Sequence, residues 1–311
     1  MALPSSERPL RIGTRGSALA LAQANETRDR LSAQHDLPEV AFEIVVIKTT
    51  GDRVLDRALS EIGGKGLFTK EIEDALLAGE IDLAVHSMKD MPTILPDGLE
   101  ISTLLPREDV RDAFVSSRHA GIADLPEGAT VGSSSLRRRA QLLHRRPDLQ
   151  VVEFRGNVQT RLKKLEDGIA DATFLACAGL RRLELGHIIR SEISPEEMLP
   201  ACAQGAIGIE IRADDAETRN LLQPINDART ETRLKAERAF LAALDGSCRT
   251  PIGGLAELDG NDLWFRGEII RPDGSERLAT ERRGTAADAA DLGLDAAQEL
   301  RAKAGPGFFE Q

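Results

Sequence analysis

Tyrosine is absent from this 311-residue chain, tryptophan occurs once, and aromatic residues make up only 3% of it. Single-stranded nucleic acid is gripped by aromatic platforms interleaved with basic side chains, so this scarcity argues against nucleic acid as a partner. A net charge of −11 argues the same way for polyanions in general. Long apolar runs are missing too: none approaches the roughly 20 residues a membrane span needs. The opening MALPSSERPLRIG has neither the apolar segment nor the small-residue cleavage site of a secretory leader. The expectation is a cytoplasmic protein with no membrane partner. Cysteine is scarce, and Cys177, Cys202 and Cys248 are too few and too scattered for a disulfide framework. No pair of them has CxxC or CxxH spacing, so no metal is indicated.

The three cysteines differ in setting. Cys177 in TFLACAGL and Cys202 in LPACAQGAIGIEI sit among apolar and small residues and read as buried structural thiols. Cys248 lies in DGSCRTPIGG, between a Gly-Ser pair and a Pro-flanked glycine turn, where packing offers no evident use for it.

The length suffices for two or three domains, each with its own core. The first two-thirds of the chain alternates β-branched runs with amphipathic runs. LRIGT reads as a strand, SALALAQANETRDRLSAQH as a helix with Ser17 as N-cap, and FEIVVIKTT as a strand. FTKEIEDALLAG reads as a helix closed by Gly79, and IDLAVH as a buried strand. The alternation restarts beyond residue 107 with TVGS, SSLRRRAQLLHR, QVVEF, NVQTRLKKLEDG and ATFLA. Such alternation predicts parallel sheets with helices on both faces, the α/β class. The run ISPEEMLPACAQGAIGIEIR supplies a further buried strand that returns to the first lobe. From about Asn226 a long helix, strands LWFRGEIIR and SERLATER around RPDGS, and an Ala-rich helix predict a small α+β domain. The expected division is 1–106 plus about 200–224, then 107–199, then 225–311.

Several loops carry chemistry. IGGKGLFTKE is glycine-rich but fails the phosphate-loop template, with Leu59 where glycine is needed and Gly66 where Ser or Thr is needed. Its Lys65 suits a carboxylate contact or a lid, or is a solvated turn residue. In DLAVHSMKDMP, Lys89 and Asp90 follow a buried strand, where open parallel sheets form ligand crevices. They are either a surface ion pair or a site for an anion and a developing cation. His86 reads as structural, because no second histidine or cysteine has ligand spacing to it. From Gly132 to Lys164 nine basic residues face two acidic ones. There Ser133 to Ser135, Arg137, Arg138, Arg155 and Arg161 occupy strand ends and helix N-termini suited to carboxylate or phosphate. Arg15 and Ser17 in RIGTRGSALA, and Arg182 beyond ATFLA, extend the pattern. Together they suggest an arginine-lined cleft for a ligand with several carboxylates.

RIGTRGSALA, GGKGLF, HSMKD, GSSSLRRRAQL, RGNVQTRL, AGLRRL, AQGAIGIE and DGSCRTPIGG, in that order over residues 10 to 254, resemble the porphobilinogen deaminase (hydroxymethylbilane synthase) family. The resemblance implies two periplasmic-binding-protein-like lobes with parallel-rich sheets plus a small C-terminal α+β domain. It implies a transferase that condenses four porphobilinogen molecules head to tail, with loss of ammonia, on a dipyrromethane cofactor, through oligopyrrole intermediates, as a monomer. It makes Cys248 the thioether anchor of that cofactor and Asp90 the catalytic carboxylate. It makes Arg15, Ser17, Lys65, Lys89, Ser133, Ser135, Arg137, Arg138, Arg155, Arg161 and Arg182 carboxylate binders, and adds Gln204 to the cleft. Glu61 departs from the lysine common in relatives. The competing expectations are a two-lobe polycarboxylate-binding protein without catalysis and a cysteine-nucleophile hydrolase, for which no histidine lies near Cys248 in sequence.

Overall fold

The structure is a computed structural model that describes residues 3–53, 69–246 and 250–309. In chain order the first elements are β1 (Leu10–Thr14), α1 (Ala18–His35), β2 (Phe42–Val46), α2 (Thr50–Arg53), α3 (Lys70–Leu77), β3 (Leu83–Ser87) and β4 (Leu99–Leu104). There follow β5 (Asp112–Val115), β6 (Thr130–Gly132), α4 (Leu136–Arg145), β7 (Gln150–Val152), α5 (Val158–Glu166), β8 (Ala172–Ala176), α6 (Cys177–Arg182) and β9 (Ser191–Ile193). The chain ends with β10 (Ile207–Arg212), α7 (Ala216–Leu222), α8 (Ala228–Ala243), β11 (Ile252–Asp259), β12 (Asp262–Ile270), β13 (Arg277–Thr285) and α9 (Ala289–Ala304).

Two compact bodies result. One comprises Met1–Glu108 with Ala206–Glu231, the other Asp109–Gly205 with Thr232–Gln311. The first body holds a five-stranded sheet in the order β2-β1-β3-β10-β4. There β1 runs parallel to β2 and β3, while β10 runs antiparallel to β3 and β4. The second body repeats the plan as β7-β6-β8-β5-β9, parallel at β6 and antiparallel around β5. In each sheet the antiparallel strand comes from outside the local strand-helix alternation. β5 enters its sheet ahead of that sheet's alternation, and β10 returns to the first sheet after the second sheet is finished.

Apolar groups on the inward faces fix these sheets. Ile12, Leu83, Val85, Ile207, Ile209 and Ile211 pack with Ala24 and Leu31 of α1, and Ile72 and Leu76 of α3 pack with Ile81 and Ala84. In the second body Phe114, Val131 and Phe174 pack with Leu142 of α4, while Val115, Leu175 and Leu180 close on α5 through Leu162 and Leu165. Helices thus cover both faces of each sheet, as strands buried on both sides require.

The remaining sheet, β11-β12-β13, is an antiparallel meander packed on α8 and α9 around Phe240 and Phe265. Strand β11 goes unread in the sequence because its IGGLAELD run opens on two glycines. The structure shows why one is needed: a Cβ on Gly254 would lie 2.6 Å from Cys202 Sγ. The Gly254 amide also donates to Pro200 O at 3.0 Å, tying the 199–202 loop to this strand. Cys177 and Cys202 are buried, as the sequence predicts, and burial with nearby Asp109 and Glu192 pushes the Cys177 thiol up to about 12.

Helices α8 and α9 cross at Gly293, where a Cβ would lie 2.1 Å from the Ala236 carbonyl oxygen. Backbone cannot yield as a flexible side chain can, so Gly293→Ala forces the helices apart. The expected cost is about 1–3 kcal/mol, read as a lowered denaturation midpoint in urea at unchanged slope; an unchanged midpoint contradicts the close crossing.

Candidate active site

In the first body the sheet presents its strand ends to one pocket. Arg15 follows β1 directly and is half-buried. Ser17 caps α1, its hydroxyl accepting from the Ala20 amide at 3.2 Å. Beyond β3 the chain turns through a short 3-10 segment, Met88–Asp90, and Met91 is extended ahead of Pro92. Met88 is buried and anchors the turn, its amide donating to Ala206 O at 3.0 Å. Lys89 is half-buried and Asp90 is exposed. Arg15, Ser17, His86, Ser87, Asp90 and Met91 line a pocket of about 70 Å³, together with Gln23, Thr69 and neighbouring apolar groups.

Gln23 is a pocket residue the sequence reading missed. Its amide nitrogen lies 2.8 Å from Ser87 Oγ, and it is 4% exposed. The signal was present: on α1 the buried stripe Ala20, Ala24, Thr27 and Leu31 carries one glutamine.

In the second body the arginine-rich segments divide into two groups. Ser133 and Ser135 follow β6, with the Ser135 amide donating to Ser133 Oγ at 3.2 Å and Ser135 Oγ capping α4 through the Arg138 amide at 3.4 Å. Arg137 and Arg138, on the first turn of α4, are each 5% exposed. Both grip Asp112 on β5. Arg137 Nη2 donates to Oδ2 at 2.8 Å, and Arg138 donates to Oδ1 from Nη2 at 2.6 Å and Nε at 3.1 Å. Arg137 Nη1 also donates to Leu199 O, and Arg138 Nη1 to Phe174 O, each at 2.8 Å. Gln204 joins them, donating to Asp112 Oδ1 at 3.0 Å and Val110 O at 2.8 Å. Asp112 is fully buried. Burial alone would raise its pKa, but Arg137, Arg138 and Gln204 together outweigh burial and hold it well below the usual carboxylate range.

Sequence reasoning named the two arginines and the glutamine but not the carboxylate that gathers them. The trace of Asp112 is an acid inside the apolar strand DAFV, every residue of which is buried. The other basic residues are less enclosed. Arg155 follows β7 and is half-buried, with Nη1 shielded from solvent and lacking a hydrogen-bond partner. Arg161 Nε donates to Gly156 O at 2.9 Å, and Arg182, at the end of α6, donates to Gly205 O at 3.2 Å. Lys65, Glu61 and Cys248 lie outside the described residues.

The knot around Asp112 is not charge-balanced. Glu268, which faces Arg137, pairs with Arg277 at 2.6 Å, so three guanidiniums meet two carboxylates. Arg137 Nε is buried and has no hydrogen-bond partner among the described residues. An unmatched guanidinium donor fits a ligand that brings carboxylates.

A guanidinium and hydroxyls at strand ends, Arg15, Ser17 and Ser87, beside the exposed carboxylate of Asp90 in one pocket, define an α/β protein equipped to handle an anionic substrate. Comparison with known proteins narrows that class. Residues 10–220 match the family described as porphobilinogen deaminase, dipyromethane cofactor binding domain, and residues 232–302 match its C-terminal domain. The porphobilinogen deaminase of Paracoccus denitrificans (strain Pd 1222) is 70% identical over 308 residues, 99% of this chain and 98% of that protein. Among solved structures, a nutrient-binding protein from Burkholderia cenocepacia bound to methionine covers 69% of this chain and 90% of its own, at 13% identity and TM-score 0.43. Immunogenic lipoprotein A from Vibrio vulnificus covers 72% and 97%, at 12% identity and TM-score 0.43. The chain belongs to the porphobilinogen deaminase family. It is therefore a transferase of tetrapyrrole synthesis, and the binding-protein and cysteine-hydrolase expectations are set aside.

Asp112 offers a direct test of the buried knot. Asp112→Asn leaves two buried guanidiniums without their carboxylate, at a cost of about 3–5 kcal/mol. Because the folded pKa is depressed, the carboxylate's contribution is complete above the unfolded value of about 3.9 and is lost as pH falls through the folded one. Calorimetry should show the variant melting several degrees below the wild type at pH 7, with the gap narrowing on acidification; equal melting temperatures at pH 7 contradict this account.

Proposed function

We propose that the pocket at Asp90 is where porphobilinogen loses ammonia, and that the chain's basic groups hold the carboxylates of the substrate and of the growing chain. The observation that carries this reading is the meeting of Arg15, Ser17 and Asp90 in one pocket. Each pyrrole of porphobilinogen bears an acetate and a propionate, so a lengthening chain accumulates negative charge. Two such charges about 5 Å apart repel by roughly 3 kcal/mol at an effective dielectric near 20. Arginines relieve that repulsion, and each charge-assisted hydrogen bond contributes about 1.5–3 kcal/mol.

The dipyrromethane cofactor supplies, when bound, the nucleophilic pyrrole end on which the product is built. The unmatched guanidinium donors of Arg137 and Arg155 favour such a polycarboxylate ligand. In this reading Arg137, Arg138, Arg155, Arg161 and Arg182, with Ser133, Ser135 and Gln204, hold the cofactor and the chain. Arg15, Ser17, Lys65 and Lys89 hold the incoming ring. Arg137 and Arg138 also keep Asp112, so they act as a rigid electropositive wall and not as swinging contacts. Cys248 is the thioether anchor.

Asp90 acts on charge that appears only as the carbon–nitrogen bond breaks. The methylene carbon is left with cationic character shared with the ring nitrogen, and a fixed carboxylate nearby stabilises the transition state more than the ground state. Exposure of Asp90 at the pocket rim lets substrate reach it. Oligopyrrole intermediates stay bound through successive additions, and the enzyme works as a cytoplasmic monomer; the net charge of −11 and the want of any described helix long and apolar enough to cross a membrane are compatible with this.

Intact mass spectrometry tests the anchor. The wild-type chain should be heavier than its sequence by two pyrrole units, and Cys248→Ser should have its plain mass and no turnover; unmodified protein that consumes porphobilinogen overturns the assignment. Asp90→Asn should keep the added mass while losing turnover by at least about 10²-fold. Substantial turnover in that variant removes Asp90 from its role.

A further inference from the structure

The loop that carries Gln204 is held by a side chain with no part in the reading above. Glu237, on α8, is wholly buried. Its Oε2 accepts from the Ala203 amide at 2.6 Å, and its Oε1 accepts from the Ala256 amide on β11 at 2.8 Å. One carboxyl group thus ties the 199–205 loop to β11, beside the Gly254 amide that donates to Pro200 O.

The loop needs such a hold. Ala203 has a φ of 63°, in the left-handed region that a Cβ makes costly. Backbone of this kind persists only where its surroundings fix it. A buried amide must also find an acceptor, and for Ala203 that acceptor is Glu237.

The loop in turn reaches several of the basic groups. Leu199 O accepts from Arg137 Nη1 and from Gln141 Nε2, each at 2.8 Å. Gln204 Nε2 donates to Asp112 Oδ1 at 3.0 Å, and Gly205 O accepts from both terminal nitrogens of Arg182 at 3.2 Å. A single short stretch therefore contacts Arg137, Arg182 and the carboxylate that grips Arg137 and Arg138.

We propose that Glu237 is a positioning residue for the site that receives the cofactor and the growing chain. By fixing Ala203 in its left-handed conformation it sets the 199–205 loop, and through the loop it sets the guanidiniums of Arg137 and Arg182. Both of its oxygens are engaged by backbone amides, so it acts through the loop and not on the ligand. A polyanion then meets guanidiniums that are already placed. This assignment rests on the reading that Arg137 and Arg182 hold the cofactor and chain.

Glu237→Gln tests it. The new side chain has one oxygen and one NH2, so whichever way it turns, a donor faces a backbone N–H and one of the two bonds is lost. Adding Ala203→Gly removes the Cβ that makes the loop conformation costly, so the loop keeps its course with less support. Hydrogen exchange read by mass spectrometry should quicken across 199–205 by about 10-fold or more in Glu237→Gln, with β12 and α9 unchanged. The added glycine should restore protection in part. Either the fraction of chains carrying the cofactor mass, or turnover per loaded chain, should fall by about 10-fold or more. KM for porphobilinogen should stay within about twofold, because other groups hold the incoming ring. The double variant should regain most of the loss, whereas a merely structural role would gain nothing from the glycine.

Wild-type exchange across 199–205 in Glu237→Gln overturns the positioning role, and so does a loss of turnover that Ala203→Gly leaves untouched. Quickened exchange with wild-type loading and turnover overturns the link to the reaction, and places the fault in the reading of Arg137 and Arg182 and not in the loop. If Glu237→Gln does not fold, Glu237→Asp, too short to reach both amides, is put through the same measurements with the same criteria.

Discussion

Each of the two α/β sheets is completed by a strand that runs against its neighbours and carries a buried carboxylate. On β10 that group is Glu210, delivered beside His86; on β5 it is Asp112, delivered beside Arg137 and Arg138. A carboxyl group taken out of water is tolerated only with a partner, so each acid demands a hydrogen-bonding side chain at a fixed place. The demand is met by side chains at the carboxyl ends of the parallel strands, which is where α/β sheets present ligands. These ends of both sheets are therefore held by buried side-chain hydrogen bonds that cross strand order, and their geometry does not depend on the loops alone.

The two pairings have different chemical consequences. At Asp112 one carboxylate faces two guanidiniums, neither of which loses its charge at any physiological pH, so the site is permanently electropositive. At Glu210 the partner is the imidazole of His86, its Nε2 2.9 Å from the carboxyl oxygen. The same sheet plan thus pairs its buried acid with guanidiniums in one body and with an imidazole in the other.

Much of this was legible in the sequence because local rules govern it. Ser17 follows a strand and opens an amphipathic run, and it is the N-cap; Asp90 follows a buried strand and precedes a proline, and it lies at a pocket rim. What the sequence hides are the partners. Arg137 reads as a cleft residue because its counter-charge is 25 residues away on a strand from another part of the chain. Glu210 sits in IGIEI and looks like a lapse in an apolar pattern, when the lapse is the point. Strand β11 is obscured for the converse reason: its glycines weaken strand propensity so that the loop bearing Cys202 can approach.

The burial of Arg137 and Arg138 also changes how the basic cluster should be understood. A guanidinium on the surface loses most of its force to water and salt within a Debye length of about 8–10 Å. One that is buried, unable to neutralise itself, and only partly offset by Asp112 and Glu268 projects its field through a medium that screens poorly. Fixing it there was already balanced by folding, so no side-chain ordering is required when a carboxylate arrives. A preorganised field of this kind is what the proposed function asks of the guanidiniums that would hold a polyanionic ligand.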